Sequence, residues 1–428
     1  MPAESAKKFI GLSSFEMMAM FRRGLFYAYL TIYLRHYLGL SVTATTLFAT
    51  LPMLVNVLSQ TFIWGRVSDR FQLRRSMIVV GESLAAIGTI AVWYLHRLAG
   101  TPKWSGYVII FGLTFVELFW SMSNISWSAL ISDLYTEDQR GRIQGRLSSM
   151  GGLGRIVGIW IGGWFYDGLG RQFAGWGFYH GDLFFAAAVV MLLSTLPLFL
   201  LPEGGVHTHA ASATARQQVQ PAANSDALRV YVVFLVSMTL INFGRNSIGI
   251  VFPQYLTVGS GLNVDSRTLG YILNTQSAAV VCFGWLVGWL CRRLGADLTL
   301  LTASVLSILA MIILSLSTAL PWIYLGSFLR GVADASILAS AYQLASVLIP
   351  PHLRARRFAW FNATFFLSWG LPGTFIIGPL IDSLIIAGYA EPIAYRVSFG
   401  LAAVIISIGV VVLSVACGSV RSISRQAT

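Results

Sequence analysis

Charged residues are scarce in this chain. Asp, Glu, Lys and Arg make up 11% of its 428 residues, whereas hydrophobic residues make up 56%. Soluble globular domains carry about a quarter charged residues, so the composition excludes an ordinary soluble protein. Mean hydropathy is +0.71, and apolar runs long enough to cross a bilayer as helices recur along the sequence. The composition therefore predicts an all-α, polytopic membrane protein.

Cysteine and catalytic motifs are also scarce. The three cysteines, Cys282, Cys291 and Cys417, lie in or at the ends of apolar runs without metal-ligand spacing, and we interpret them as small packing residues. The sequence has no phosphate-binding Gly-Lys-Ser/Thr loop and no nucleophile motif. We therefore expect no enzyme activity, no cofactor, no metal site and no ATP-driven step on this chain.

Twelve apolar segments of about 19 to 28 residues are each long enough to span the hydrocarbon core. We predict them as transmembrane helices 1 to 12. They lie near 15–38, 42–63, 77–98, 104–131, 147–165, 183–201, 230–256, 269–291, 298–319, 322–348, 358–381 and 393–417.

The formal net charge of +12 results mostly from residues between the spans. Of the 29 Lys and Arg residues, 18 lie in the termini and even-numbered loops, and six lie in the odd-numbered loops. By the positive-inside rule this bias places both termini in the cytoplasm. The basic excess predicts contact with anionic lipid headgroups and argues against a nucleic-acid partner.

The chain divides into two similar halves. Residues 203–229 contain no aromatic residue and much Ala, Gln, Ser and Pro, a composition that does not bury enough apolar surface to fold. We predict a half at 1–202, a cytoplasmic linker at 203–229 and a half at 230–428. An offset of 222 aligns Arg23 with Arg245, and an offset of 215 aligns Asp167 with Asp382. The halves are thus parallel repeats of six helices.

A charged run between predicted helices 2 and 3 carries a family resemblance. GRVSDRFQLRR at 65–75 recurs in degenerate form as GWLCRRLGAD at 288–297, and Asp133 precedes an Arg-Gly-Arg triplet at 140–142. The run resembles the signature loop of the major facilitator superfamily. The resemblance covers essentially the whole chain and implies twelve helices in two pseudo-symmetric halves, with secondary transport by alternating access.

The resemblance also implies a conformational latch. Asp69 would cap the cytoplasmic start of helix 11, where a carboxylate is favoured by the helix dipole and by nearby guanidinium groups. The alternative is that these charges only set the topology. The implied latch residues are Gly65, Asp69, Arg70, Arg140 and Arg142.

Predicted helix 5 carries glycines at fourfold spacing, Gly154, Gly158 and Gly162. Such spacing lets two helix backbones approach closely, so we predict a packing face here. The segment resembles the antiporter motif of the same superfamily, except that Ile159 occupies the proline position. This departure weakens an inference of antiport.

Ionisable residues deep in the spans are the best functional candidates, because each is costly in a bilayer unless it is paired or faces water. Arg330 and Asp334 are four residues apart, which suits a local ion pair. Glu117 is our first choice for a proton carrier, and static pairing with Arg155 is the alternative. The predicted proton-coupling set is Glu117, Arg155, Glu82, Asp334 and Arg330.

Arg23 and Arg245 occupy equivalent positions of the two repeats, and paired guanidinium groups suit a carboxylate or phosphate. The alternative is that each arginine pairs with an acid and only sets helix packing. Polar and aromatic neighbours predicted to complete the substrate pocket are Tyr27, Asn124, Asn242, Asn274, Gln276, Gln343, Asn362 and Trp369.

These observations predict a monomeric secondary transporter of a small organic solute in the cell membrane, coupled to protons. The excess of deep arginines favours an organic anion. A proton-coupled exporter of amphipathic drugs is the alternative, and a non-transporting receptor on the same scaffold is a third, weaker interpretation.

Overall fold

The computed structural model describes the backbone of residues 2–135, 137–205, 225–349 and 354–426. Side chains are described for 7–135, 143–205, 228–349 except 285, and 357–415 except 359. Within these ranges the protein is all-α. Its long helices are α1 (Pro2–Ile32), α2 (Val42–Phe71), α3 (Arg74–Leu98), α4 (Pro102–Leu134), α5 (Glu137–Tyr166), α6 (Asp182–Leu200), α7 (Ser225–Ser247, then Val251–Thr257), α8 (Ser266–Leu294), α9 (Ala296–Leu316), α10 (Leu320–Leu348), α11 (Arg354–Phe366, continued by Gly378–Ile386) and α12 (Glu391–Gln426).

The helices correspond to the twelve predicted spans. Eight of the described helices are long and apolar enough to cross a membrane, or ten if two bent pairs are counted as single spans. The bent pairs are α8 and α11, and the bend in α11 is 43°. The other two predicted spans are α1 and α5.

The chain forms two compact units. The first contains residues 1–40, 47–217 and 265–271, and the second contains 41–46, 218–264 and 272–428. The predicted division at the linker is therefore modified by two short segments. The start of α2 belongs to the second unit, and the start of α8 belongs to the first.

Packing in the first unit depends on the glycines of α5. A methyl group on Gly158 would overlap the carbonyl oxygen of Phe21 in α1, and one on Gly154 would overlap that of Met17. α1 packs on α5 more extensively than on any other helix of this unit. The predicted glycine packing face is confirmed, because only residues without a Cβ permit this backbone approach.

The equivalent helices of the second unit are held differently. α7 packs most extensively on α12, and polar side chains connect it to α11. Asn242 Nδ2 donates to Thr364 Oγ1 over 3.2 Å, and Asn246 Nδ2 donates to Ser368 Oγ over 2.7 Å. Both pairs repeat at four-residue spacing, so one face of α7 is joined to one face of α11. The two sequence repeats thus use different means to hold the same pair of helices.

The linker is shorter than predicted at its start. Glu203 accepts hydrogen bonds from the backbone N–H (2.8 Å) and hydroxyl (3.0 Å) of Ser76, and it forms a 3.1 Å ion pair with Arg75. Its carboxylate therefore caps the start of α3, where the helix dipole favours a negative charge. At the other end, residues 225–229 are helical. Residues 206–224 lie outside the described part of the chain.

Two repeat-related carboxylates lie at helix starts within the units. In the second unit, the Asp382 carboxylate accepts hydrogen bonds from the N–H groups of Val42 (2.9 Å) and Thr43 (2.8 Å) at the start of α2. In the first unit, Asp167 accepts one from the hydroxyl of Ser266 at the start of α8. Burial raises the pKa of the Asp167 carboxyl, and the Ser266 hydroxyl partly offsets this.

One sequence interpretation needs correction. Cys282 is exposed, whereas Cys291 is buried, so only Cys291 fits the interpretation of a buried packing residue. The side chain of Cys417 lies outside the described part of the chain. Cys282 is exposed because it lies on the side of its helix that is not covered by the rest of the protein.

Candidate functional site

The first unit contains a cluster of charged and aromatic side chains around Trp120 of α4. The guanidinium carbon of Arg22 lies 3.8 Å from the centroid of the Trp120 ring, and that of Arg23 lies 4.9 Å from it. Tyr27 stacks on the same residue, with ring centroids 6.2 Å apart and planes at 23°. Because an aromatic face attracts cations, the indole holds two arginines of α1 in one place.

Glu82 of α3 anchors this indole from its edge. One carboxylate oxygen, Oε1, accepts hydrogen bonds from Trp120 Nε1–H and from Ser123 Oγ–H, both at 2.8 Å. Glu82 is 2% exposed. A buried carboxylate with two donors on one oxygen is a well-satisfied acceptor, which suits a fixed structural position.

Glu117 of α4 accepts fewer described hydrogen bonds than Glu82. Its Oε1 accepts a hydrogen bond from Asn56 Nδ2 of α2 at 2.5 Å, and its side chain is half-buried. Gln60 Nε2 donates to Asn56 Oδ1 at 2.8 Å and so orients the amide. Arg155 is exposed on α5. The alternative in which Glu117 pairs with Arg155 is therefore not what the structure shows, since the Glu117 carboxylate binds the Asn56 amide and Arg155 lies on the exposed side of α5.

The terminal nitrogens of Arg22 stand out in this cluster. Arg22 is 1% exposed, yet neither Nη1 nor Nη2 has a hydrogen-bond partner among the residues that the structure describes. Buried donors are normally satisfied. The charges of Glu82, Arg23 and Glu117 act on it, and its closest described contact is the face of the Trp120 ring.

The second unit contains a network centred on Asp334 of α10. Arg245 Nη1 of α7 lies 2.6 Å from Asp334 Oδ1, and Gln276 Nε2 of α8 donates to Oδ2 at 2.9 Å. Arg245 Nε also donates to Asn242 Oδ1 at 2.9 Å. Both oxygens of the carboxylate therefore have a donor, and three helices are joined by one acid.

The predicted Arg330–Asp334 pair is wrong. Asp334 is engaged from α7 and α8, and the guanidinium of Arg330 lies 5.2 Å from the centroid of the Phe252 ring. Spacing along one helix shows only that two residues share a face. The ion pair of Asp334 is made with a residue of another helix, Arg245 of α7, at 2.6 Å.

The two repeats place different residues at equivalent positions. Trp120 and Asp334 are related by the offset 334 − 120 = 214, which also aligns Arg140 with Arg354. Arg23 thus lies over an indole where Arg245 binds a carboxylate.

The same offset aligns Glu117 with Gly331, and the signature-loop offset of 223 aligns Asn56 with Ala279. A Cβ on Gly331 would lie 2.7 Å from that of Ala279. The same two positions are therefore in contact in the second unit, but without an acid and an amide. The acid with a single amide partner belongs to the first unit.

The other predicted pocket residues differ in burial. Asn124 and Asn274 are half-buried. Among the described residues, none of the three remaining side chains hydrogen-bonds to Arg245 or Asp334, and all three are exposed: Gln343, Asn362 and Trp369.

The signature loop is organised around Arg74 rather than Asp69. Arg74 is buried, donates to the Ser68 hydroxyl, and lies 3.5 Å from both Asp69 Oδ1 and Asp133 Oδ2. The Asp69 side chain is 83% exposed. Arg74 therefore ties the loop together through a hydroxyl and two carboxylates, which the sequence analysis did not single out.

Of the remaining latch residues, Gly65 is half-buried and Arg70 is exposed. The side chains of Arg140 and Arg142 lie outside the described residues, so their predicted contacts with Asp69 remain predictions.

Sequence reasoning missed Asn56 and Trp120, which organise the first cluster. A signal was available for each. Asn56 is an amide inside a predicted span, and Trp120 lies three residues after Glu117 on the same helix face. Neither signal by itself indicates a partner.

Comparisons with known proteins agree with this architecture. The sequence profile of the Major Facilitator Superfamily matches residues 12–373. A "multidrug resistance protein MdtG" from Enterobacter lignolyticus (strain SCF1) is 25% identical over 341 residues, which cover 76% of this chain and 72% of that protein.

Two solved structures show the same fold. A bacterial homologue of the human lysosomal transporter Spinster, inward-facing and unoccupied, has a TM-score of 0.72 at 14% identity, covering 98% of each chain. The nucleoside transporter NupG has a TM-score of 0.67 at 14% identity, covering 96% of this chain and 98% of that one. At this identity the likeness concerns the fold alone.

Proposed function

Because this chain belongs to the Major Facilitator Superfamily and is a multi-pass membrane transporter, we propose that it is a proton-coupled exporter of amphipathic organic solutes, with Glu117 as the proton carrier. The observation that carries the proposal is the state of the Glu117 carboxylate. It is half-buried, it is bound by one amide, and its charge interacts with those of Arg22 and Arg23.

The other two candidate carriers are less suited to bind and release a proton. Glu82 is buried, and its Oε1 already accepts two hydrogen bonds. Asp334 has a donor on each oxygen, one of them the guanidinium of Arg245. Hydrogen bonds to the charged form favour the charged form. Glu117, with one neutral donor, has the least to lose on protonation.

The proposed solute class follows from the charge of Arg245. Its guanidinium is 2.6 Å from a carboxylate, so it does not offer an unneutralised charge to an anion. This argues against the predicted anion site of two equivalent arginines. Tyr27 packs on Phe48 and on Trp120, with ring centroids 5.4 Å and 6.2 Å apart, which suits apolar and aromatic solutes. The relative that is described as a multidrug resistance protein supports the same class.

A second candidate, transport of an organic anion, is favoured by one observation. The terminal nitrogens of Arg22 have no hydrogen-bond partner among the described residues. A carboxylate that reached them would gain charge-assisted hydrogen bonds. Because Arg22 is buried, such a ligand could bind only after the cluster opens.

The proposed carrier is tested by replacing Glu117 with Gln in protein reconstituted into liposomes. Ethidium, an amphipathic cation, and carboxyfluorescein, an organic anion, serve as probe solutes. An imposed pH gradient should drive ethidium accumulation by the wild type and not by Glu117→Gln, because the amide imitates a permanently protonated acid. Exchange of ethidium without a gradient should persist.

Glu16→Gln in α1 is the matched control, since it removes another half-buried carboxylate of the same unit, and it should accumulate ethidium like the wild type. Gradient-driven accumulation by Glu117→Gln would refute the carrier role. Accumulation of carboxyfluorescein alone would favour the anion transporter.

We further propose that both termini face the cytoplasm of a plasma membrane, as the 18 to 6 distribution of Lys and Arg indicates. A single Cys at position 212, in a background without the three native cysteines, should react with a membrane-impermeant thiol reagent only after the membrane is opened. Labelling in intact cells would reverse the proposed orientation.

A further inference from the structure

We infer that Glu82 is a positioning residue for proton coupling, which acts through the indole of Trp120 on the two arginines beside Glu117. The inference rests on the proposed function, since it takes Glu117 as the proton carrier. It assigns Glu82 a fixed role in place of the carrier role that its burial in a span suggested. Trp120 becomes the group that transmits this role.

The geometry forms a short chain of contacts within the first unit. Glu82 Oε1 binds the indole N–H at 2.8 Å, and the indole face holds the Arg22 guanidinium at 3.8 Å and the Arg23 guanidinium at 4.9 Å. A hydrogen bond at the ring edge holds the position of the indole N–H. Because both cations sit against that plane, their positions depend on a carboxylate with which neither forms an ion pair.

The second unit shows what this arrangement replaces. There Arg245 bonds directly to Asp334, at the position equivalent to Trp120. Direct pairing satisfies the guanidinium and holds it in place. In the first unit the buried acid Glu82 binds the indole N–H, and the terminal nitrogens of Arg22 have no hydrogen-bond partner among the residues that the structure describes. They remain available to respond to the charge of Glu117.

The groups near Glu117 come from three other helices. They are Arg22, Arg23 and the phenol of Tyr27 from α1, the amide of Asn56 from α2, and Glu82 from α3. Two arginines balance two acids when Glu117 is ionised, and one positive charge is in excess when Glu117 is protonated. Holding the guanidinium groups at a fixed distance therefore sets how strongly Glu117 binds its proton.

Two substitutions separate the effect of the Glu82 charge on Glu117 from the effect of the position of the guanidinium groups. Glu82→Gln keeps an oxygen that accepts from the indole but removes a negative charge, so the proton affinity of Glu117 should fall by about tenfold, the size of one pKa unit. Trp120→Phe keeps a ring and all four charges but removes the N–H donor. Glu82 then keeps only the Ser123 hydroxyl as a donor, and the terminal nitrogens of Arg22 should turn to it and away from Glu117. The proton affinity of Glu117 should rise by about tenfold.

The experiment is an infrared titration of the full-length protein in lipid, following the C=O band of protonated carboxyl groups. It needs no solute. The band that disappears in Glu117→Gln reports on the carrier, and its midpoint is compared among wild type, Glu82→Gln and Trp120→Phe. Ser123→Ala is the matched control, because it removes the other hydrogen bond to the same Glu82 oxygen and leaves the indole bond. Its midpoint should equal that of the wild type.

The outcomes are distinct. Opposite shifts in Glu82→Gln and Trp120→Phe, with none in Ser123→Ala, support the positioning role. An unchanged midpoint in Trp120→Phe, with the protein folded as judged by its melting temperature, overturns it. If Trp120→Phe does not fold, an unchanged midpoint in Glu82→Gln overturns the positioning role instead. Loss of the titrating band in Glu82→Gln would make Glu82 the carrier. If Glu117→Gln retains every titrating band, the proposed function fails instead.

Discussion

Replacing Asp334 with Asn should lower the free energy of unfolding by about 3–5 kcal/mol, because it leaves a buried arginine without its counter-charge. Arg245 is 7% exposed and lies 2.6 Å from the carboxylate, which also accepts from Gln276. A membrane interior increases the penalty for an unpaired charge. The measurement is thermal unfolding of purified protein in detergent, with the loss of monomer followed by size-exclusion chromatography.

The double variant, Arg245→Gln with Asp334→Asn, should recover most of this loss, since neither charge remains. The recovery would be a large coupling energy in the sense of a double-mutant cycle. Additive losses would mean that the two residues do not act as a pair. If folded Arg245→Gln lost affinity for carboxyfluorescein with no loss of stability, Arg245 would belong to an anion site.

Adding one methyl group at Gly158 should destabilise the protein by about 2–3 kcal/mol, because an overpacked contact has to be relieved by moving α1 away from α5. The new Cβ would overlap the carbonyl oxygen of Phe21, which is backbone and does not turn aside. The same thermal unfolding measurement applies to Gly158→Ala.

Gly145→Ala is the matched control in the same helix. A Cβ at Gly145 meets nothing within 4 Å, and alanine is a better helix former than glycine by up to about 1 kcal/mol. The two substitutions should therefore change the melting temperature in opposite directions. Equal effects would show that α1 and α5 do not approach as closely as described.

Charge partners were harder to predict than packing faces, and the two interpretations of the deep charges illustrate why. Arg330 and Asp334 share a face of α10, yet the carboxylate is bound by Arg245 of α7 and Gln276 of α8. Arg155 was the alternative partner of Glu117, yet Glu117 is bound by Asn56. In each case the sequence located the charge, but the partner depended on the rotation of a different helix.

The repeat-related arginines show the same limit. The offset of 222 aligns Arg23 with Arg245 in the sequence. Their surroundings differ, because Trp120 stands in the first repeat where Asp334 stands in the second. Equivalent backbone positions do not imply equivalent side-chain partners once the neighbouring residues have diverged.

The amino-acid sequence by itself determined the membrane class, the twelve spans, the superfamily and the glycine face of α5. Each of these depends on the composition or spacing of residues along the chain, which can be evaluated without knowing how the helices pack. Only the tertiary structure decided that Trp120 carries two arginines, that Arg74 centres the signature loop, and that the acids pair as they do. The physical reason is that an ion pair or a cation on an aromatic ring forms over a few ångströms, so it depends on the rotation and depth of two packed helices, which no single segment specifies.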